Sequence, residues 1–138
     1  MDTDIQQYLK SLDLNDPADP NVIRNVEGQL GFQFPKEYVK FLLHSNGGEG
    51  PIGDNYLQLW KVEELIEDNE GYSVEEFAPG LLIIGSDGGD TAYCMDTRSK
   101  EMPFVSMPFI GMDLEEVELC GSTFTKFLDF LNKASNAD

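Results

Sequence analysis

The stretch LLIIGSDGGDTAYCMD, residues 81–96, sets Asp87 and Asp90 three residues apart among Gly85, Gly88 and Gly89, between two apolar runs. Three kinds of chemistry use related patterns: a calcium loop, a phosphate cradle and a nucleophile elbow. A calcium loop needs alternating oxygen ligands of the D-x-D-x-D-G kind and a distant glutamate, whereas SDGGD offers two carboxylates. A phosphate cradle needs a glycine-rich loop opening a helix, but no lysine follows this one and its two aspartates would repel the ligand. The G-x-S-x-G elbow requires glycine where Ile84 stands, and a helix rather than a strand after Ser86. The residues fit a turn instead. With Gly88 and Gly89 as its central pair, both would supply the positive φ that two-residue hairpins demand, and Asp87 would face Asp90. Ile84 would then pair with Tyr93, Leu82 with Met95, Ile83 with Cys94 and Gly85 with Ala92. Both faces of such a hairpin are apolar, which places it near the centre of a covered sheet, with Gly85 and Ala92 small enough for a helix to approach.

Other residues able to do chemistry stand apart from one another. His44, the only histidine, falls near the end of a helical segment, where its charge would favour the helix dipole, and no positioned nucleophile accompanies it. Cys94 and Cys120 lie 26 positions apart, form no CxxC or Cys/His cluster, and read as buried, reduced thiols. No pair among the 26 acids stands out as catalytic carboxylates. Trp60 and the phenylalanines, at strand or helical spacing, read as core rather than as a ligand platform. No catalytic residue, metal ligand or cofactor is therefore expected. Charge is more informative. Residues 49–90 hold eleven acids and one base, Lys61, and with them 10 of the 17 excess negative charges. Glu63, Glu64, Glu67, Asp68, Glu70, Glu75 and Glu76 fall within fourteen residues with no base among them, a run that either solvates a face or docks a basic partner. These seven are the candidate partner-binding residues.

The elements that must position them follow from composition and period. A chain of 138 residues, 41% hydrophobic and 25% charged, is ordinary globular composition and suits a single domain over 1–138. A formal charge of -17 repels nucleic-acid phosphates and anionic lipid heads, so neither is an expected partner. The opening MDTDIQQYLKSLDL has aspartates where a signal peptide carries positive charge, and no segment approaches the ~20 apolar residues that span a bilayer; a cytoplasmic location is expected. Ile5, Tyr8, Leu9 and Leu12 recur at helical spacing until NDPADP breaks the run. Asp19 as N-cap, Pro20 at the first helical position, the stripe Ile23, Val26 and Leu30, and Gly31 at the C-terminal cap predict a second helix. Pro35 opens a third, with Tyr38, Val39, Phe41, Leu42 and Leu43 making a wide apolar face, ended by Asn46, Gly47 and Gly48.

After the glycine-rich NGGEGPIGDN, YLQLW alternates as a strand, with Tyr56, Gln58 and Trp60 opposite Leu57 and Leu59. VEELIEDNEGYSVEEF predicts a short helix with Val62, Leu65 and Ile66 on its inner side, followed by an acidic loop. PFVSMPF reads as an edge-tolerant strand between Pro103 and Pro108, EEVELC as a further strand, and Ser122 as the cap of a last helix facing inward through Phe124, Phe127, Leu128 and Leu131.

In this order, GFQFPKEYVKFLLHSNGGEG, YLQLW, VEELIEDNEGY, LLIIGSDGGDTAYCMDT, MPFVSMP and STFTKFLDFL resemble the SMI1/KNR4 family of the SUKH superfamily over about residues 20–132. The family's LP-x-x-Y-x-x-F-L-like signature is met by Phe34, Pro35, Tyr38, Phe41 and Leu42, then Asn46 and Gly47; Phe34 stands in for leucine, a tolerated volume change. The resemblance implies an α+β domain in which N-terminal helices and a C-terminal helix pack on a mixed, largely antiparallel sheet. It also implies an immunity protein of the bacterial type; a monomer or weak dimer is expected. Such a protein would bind and neutralise a cognate toxin domain, often a nuclease, and the acidic run makes its own acidic surface the expected contact and a basic toxin the expected partner. The alternatives are a regulatory scaffold of the same family and a small carboxylate-dependent hydrolase.

Overall fold

The computed structural model describes the backbone of residues 3–134 and the side chains of residues 5–133. Helix α1 (Thr3–Leu9) buries Ile5 and Leu9, and the chain then adds a two-residue strand, β1 (Asp13–Leu14). The second helix, α2 (Pro20–Leu30), forms as its termini dictate: the Asp19 carboxylate accepts the Asn21 N–H at 2.8 Å, and Gly31 ends it in the left-handed region at φ 85. Helix α3 (Lys36–His44) follows Pro35 and buries Tyr38, Phe41 and Leu42, while Leu43 stays exposed.

Within the glycine-rich segment, which carries no strand pattern, the chain forms β2 (Gly48–Ile52), which bridges β1 and β3 (Asn55–Leu59). Its composition hides this because the glycines are selected by close approach. A Cβ on Gly48 would lie 2.7 Å from the Asp13 carbonyl oxygen, and one on Gly50 would lie 2.8 Å from that of Ser11. Four further strands complete the sheet: β4 (Leu81–Ser86), β5 (Thr91–Asp96), β6 (Phe104–Pro108) and β7 (Glu118–Gly121). They lie in the order β1 to β7, every pairing antiparallel, so sequence neighbours are sheet neighbours and the domain is α+β. The β6 strand is no edge, since β7 covers Phe104 to Ser106.

The β4–β5 hairpin sits at the middle of the sheet, buried on both faces as its sequence predicts, but its turn and register differ. Leu82 pairs with Met95 and Ile83 with Cys94 as expected; a bulge at Ile84 then shifts the pairing, so that Gly85 meets Tyr93 and Ser86 meets Ala92. The connection is the four residues Asp87–Asp90, closed by the Asp87 N–H on the Thr91 carbonyl at 3.1 Å, and of its glycines only Gly88 has positive φ, at 82. The Asp87 carboxylate accepts the N–H groups of Gly89 at 2.8 Å and Thr91 at 3.1 Å, which takes the place of the expected two-residue turn. Gly85 admits the backbone of β3 rather than a helix, since a Cβ there would overlap the Gln58 carbonyl oxygen. Ile84 stays on the same face as Leu82, as strand alternation requires, and the bulge beside it accompanies this approach.

On one face, Leu57, Leu59, Leu82, Ile84, Tyr93, Met95 and Phe104 meet the inner sides of α1, α2, α3 and the last helix, α6 (Phe124–Ala134). Aromatic edges join these layers: Phe34 and Tyr38 at 5.3 Å, Tyr38 and Phe124 at 5.7 Å, and Tyr93 and Phe127 at 5.3 Å between centroids. Helix α6 is capped by Thr123 rather than Ser122, its hydroxyl accepting the Lys126 N–H at 3.1 Å; Glu37 of α3 also accepts the Thr125 N–H at 2.9 Å. The opposite face carries a smaller core of Ile83, Ala92, Cys94, Val105 and Met107 under Val74, Ala78 and Met112. Cys94 and Cys120 are buried free thiols, and burial pushes both above the ordinary thiol range.

Candidate partner-binding surface

The acidic run is built on three short elements. A 3₁₀ turn (Val62–Glu64) leads directly into α4 (Leu65–Gly71), and the supposed acidic loop contains one more helical turn, α5 (Val74–Phe77). Val62, Leu65 and Val74 are buried beneath them, so hydrophobic anchors alternate with the carboxylates. Ser73, at φ 55 and ψ 41, breaks the helix between α4 and α5.

Two buried asparagines fix this segment to the domain. Asn46, just beyond α3, accepts the Val62 N–H at 2.8 Å and donates to the Glu63 carboxylate at 2.6 Å. Asn69 lies on α4 and faces the sheet. Its carbonyl accepts the Ile83 N–H at 2.7 Å, and its amide group donates to the carbonyls of Leu65 at 2.7 Å and Ile83 at 2.9 Å. The paired register of β3 with β4 covers only Ser86 and Gly85, so the Asn69 side chain takes the place of a strand partner at Ile83.

The seven candidate acids divide accordingly. Glu63 is held by Asn46, and because it lies in a 3₁₀ turn it does not form a regular helical i, i+4 pair with Glu67. Asp68 is half-buried; the other six, Glu63, Glu64, Glu67, Glu70, Glu75 and Glu76, are exposed. Glu70, Glu75 and Glu76 come together along a groove of about 760 Å³, whose other side is formed by Gln29, Leu30 and Phe32. Glu63, Glu64, Glu67 and Asp68 do not line it. The two ion pairs among the described residues, Arg98 with Asp96 and Lys133 with Asp129, leave all seven without a cationic partner.

His44 is exposed at the last residue of α3, and no group of three His, Cys, Asp or Glu side chains capable of holding a metal occurs among the described residues. No described helix is long and apolar enough to cross a membrane.

One surface feature escaped the sequence reading. Trp60, expected in the core, is half-buried at the end of β3 and lies nearly parallel to Tyr72, at 6.1 Å and 13°; Tyr72 in turn contacts Phe109 at 4.8 Å. The three rings come from the end of a strand, the end of α4 and the loop after β6, so no local spacing could have signalled them.

The family model for SMI1 / KNR4 (SUKH-1) matches residues 17–129. An uncharacterized protein of Bacillus subtilis (strain 168), YnaB, is 33% identical over 118 residues, covering 84% of this chain and 77% of the relative. The Pro35, Tyr38, Phe41, Leu42 and Asn46 signature lies within the matched span and builds the α3 core and the Asn46 staple described above. The chain therefore belongs to the SMI1/KNR4 family (SUKH-1), a membership that supports a role in immunity or in protein interaction.

Proposed function

We propose that this chain is a non-enzymatic immunity protein that binds and neutralises a cognate toxin domain through its acidic surface. The observation that carries the reading is the run from Glu63 to Glu76, in which six carboxylates are exposed without cationic partners on elements stapled to the domain by Asn46 and Asn69. Carboxylates held on a stapled frame need little reordering when a partner binds. Family membership supports the class of function. A basic nuclease is the simplest target, because carboxylates ranged along one face imitate the charge of its phosphate substrate and block its entrance. Complementary charge then governs encounter rate and specificity, and apolar anchors slow dissociation.

The test is co-purification with the product of the adjacent gene and rescue of its toxicity, followed by association kinetics over a salt series. A combined reversal, Glu64→Lys with Glu67→Lys and Glu70→Lys, changes exposed positions only and avoids the half-buried Asp68. Association should slow in the variant and, for wild type, as salt rises. An association rate insensitive to both would reduce the run to a solvated face.

A further inference from the structure

The geometry points to a cation pocket: the basin bounded by Trp60, Tyr72 and Phe109 receives one arginine or lysine side chain of the partner. This inference rests on the basic partner proposed above and names where its anchor seats. The basin has a volume of about 370 Å³, and none of its lining residues is basic. Tyr72, 47% exposed, and the adjoining Ile110, 87% exposed, present apolar surface to water, while Trp60 and Phe109 are half-buried beside them. Exposed apolar surface gathered around aromatic rings and rimmed by polar groups is the character of a binding anchor's seat.

The chemistry of the basin selects a cation. Ring faces are electron-rich and attract ammonium and guanidinium groups, most strongly for tryptophan. Asp90 lines the same basin, and its carboxylate has no hydrogen-bond or ion-pair partner among the described residues, unlike Asp87, which is committed to the turn. Gln58 is held in place by the Ser86 hydroxyl, which donates to its side-chain carbonyl at 3.2 Å, and by its own amide, which donates to Glu49 at 3.1 Å. A preorganised polar wall, three rings and an unpaired carboxylate therefore meet in one concavity. A second copy of the chain is a poor occupant, since each carries a formal charge of -17.

Trp60 is the only tryptophan, so its fluorescence reports this basin directly. The probe is a hexa-arginine peptide at low salt, followed in parallel by Trp60 emission and, with a labelled copy, by anisotropy. The variants are Tyr72→Ala and Asp90→Asn, both at exposed positions, beside the Glu64, Glu67 and Glu70 reversal. Trp60 emission should change saturably with the same midpoint as anisotropy, and each single variant should weaken binding by about threefold to tenfold. Binding by anisotropy that leaves Trp60 emission unchanged, or that survives both single variants undiminished, would overturn the pocket. If the triple reversal still weakened that binding, the acidic surface would stand without it. Absence of peptide binding by either signal would overturn both.

Discussion

Replacing Asn69 with leucine removes the link between the acidic helix and the sheet while nearly conserving volume. Both backbone groups of Ile83 bond to the Asn69 amide, and Ile83 is fully buried, so water cannot take over. Each orphaned buried group costs about 1–3 kcal/mol, and partial relaxation brings the expected loss to about 2–5 kcal/mol. Urea unfolding should show this as a lower midpoint at unchanged slope, with hydrogen exchange at the Ile83 amide accelerated beyond that of its strand neighbours. Asn69→Asp adds a pH signature. One oxygen still accepts the Ile83 N–H, but the other faces the carbonyls of Leu65 and Ile83, which disfavours the ionised form. The folded-state pKa of the new carboxyl is then raised above its unfolded value of about 3.9. The folded state binds the proton more tightly, so the variant's stability is fullest below the unfolded value and is lost as pH rises through the folded one. Its deficit against wild type should be larger at pH 7 than at about pH 4. A leucine variant within about 0.5 kcal/mol of wild type would refute the strand-substitute role, because even one unsatisfied buried group exceeds that figure.

Gly85→Ala should destabilise by about 3 kcal/mol or more, through overlap with the Gln58 backbone, whereas Gly89→Ala, whose Cβ meets only the Asp87 carboxylate at 3.5 Å, should change stability by less than about 0.5 kcal/mol in the same unfolding assay. Tyr38→Phe should be neutral or stabilising by up to about 1 kcal/mol, since the buried Tyr38 hydroxyl has no partner among the described residues and removing it relieves an unmade hydrogen bond. Arg98 donates to both oxygens of Asp96 at 2.8 and 2.9 Å and holds that carboxyl below its ordinary range. The resulting stability is present above the unfolded carboxyl value and lost as pH falls through the folded one, so Arg98→Met should flatten the acid limb of a melting-temperature profile.

The elements governed by local rules were legible in the sequence. Asp19, Pro20 and Gly31 bound α2 because an N-cap carboxylate, a prolyl φ and a left-handed glycine act within a few residues of themselves. The alternation of Leu82 and Ile84 against Ile83 assigned them to opposite cores, since side-chain direction in a strand depends only on parity. The order of motifs sufficed for the family and the α+β class. Tertiary approach decided the rest. β2 carried no strand pattern because its glycines answer to the backbone of residues 11–14, and the hairpin register shifted because β3 presses on Gly85. The sequence showed seven acids within fourteen residues but not that Asn46 engages Glu63, that Glu70, Glu75 and Glu76 share a groove, or that Asn69 fastens α4 to Ile83. Charge density is a property of the chain and can be counted along it. The meeting of Trp60, Tyr72, Phe109 and Asp90 depends on how a strand end, a helix end and two loops converge, and only the packed sheet brings them together.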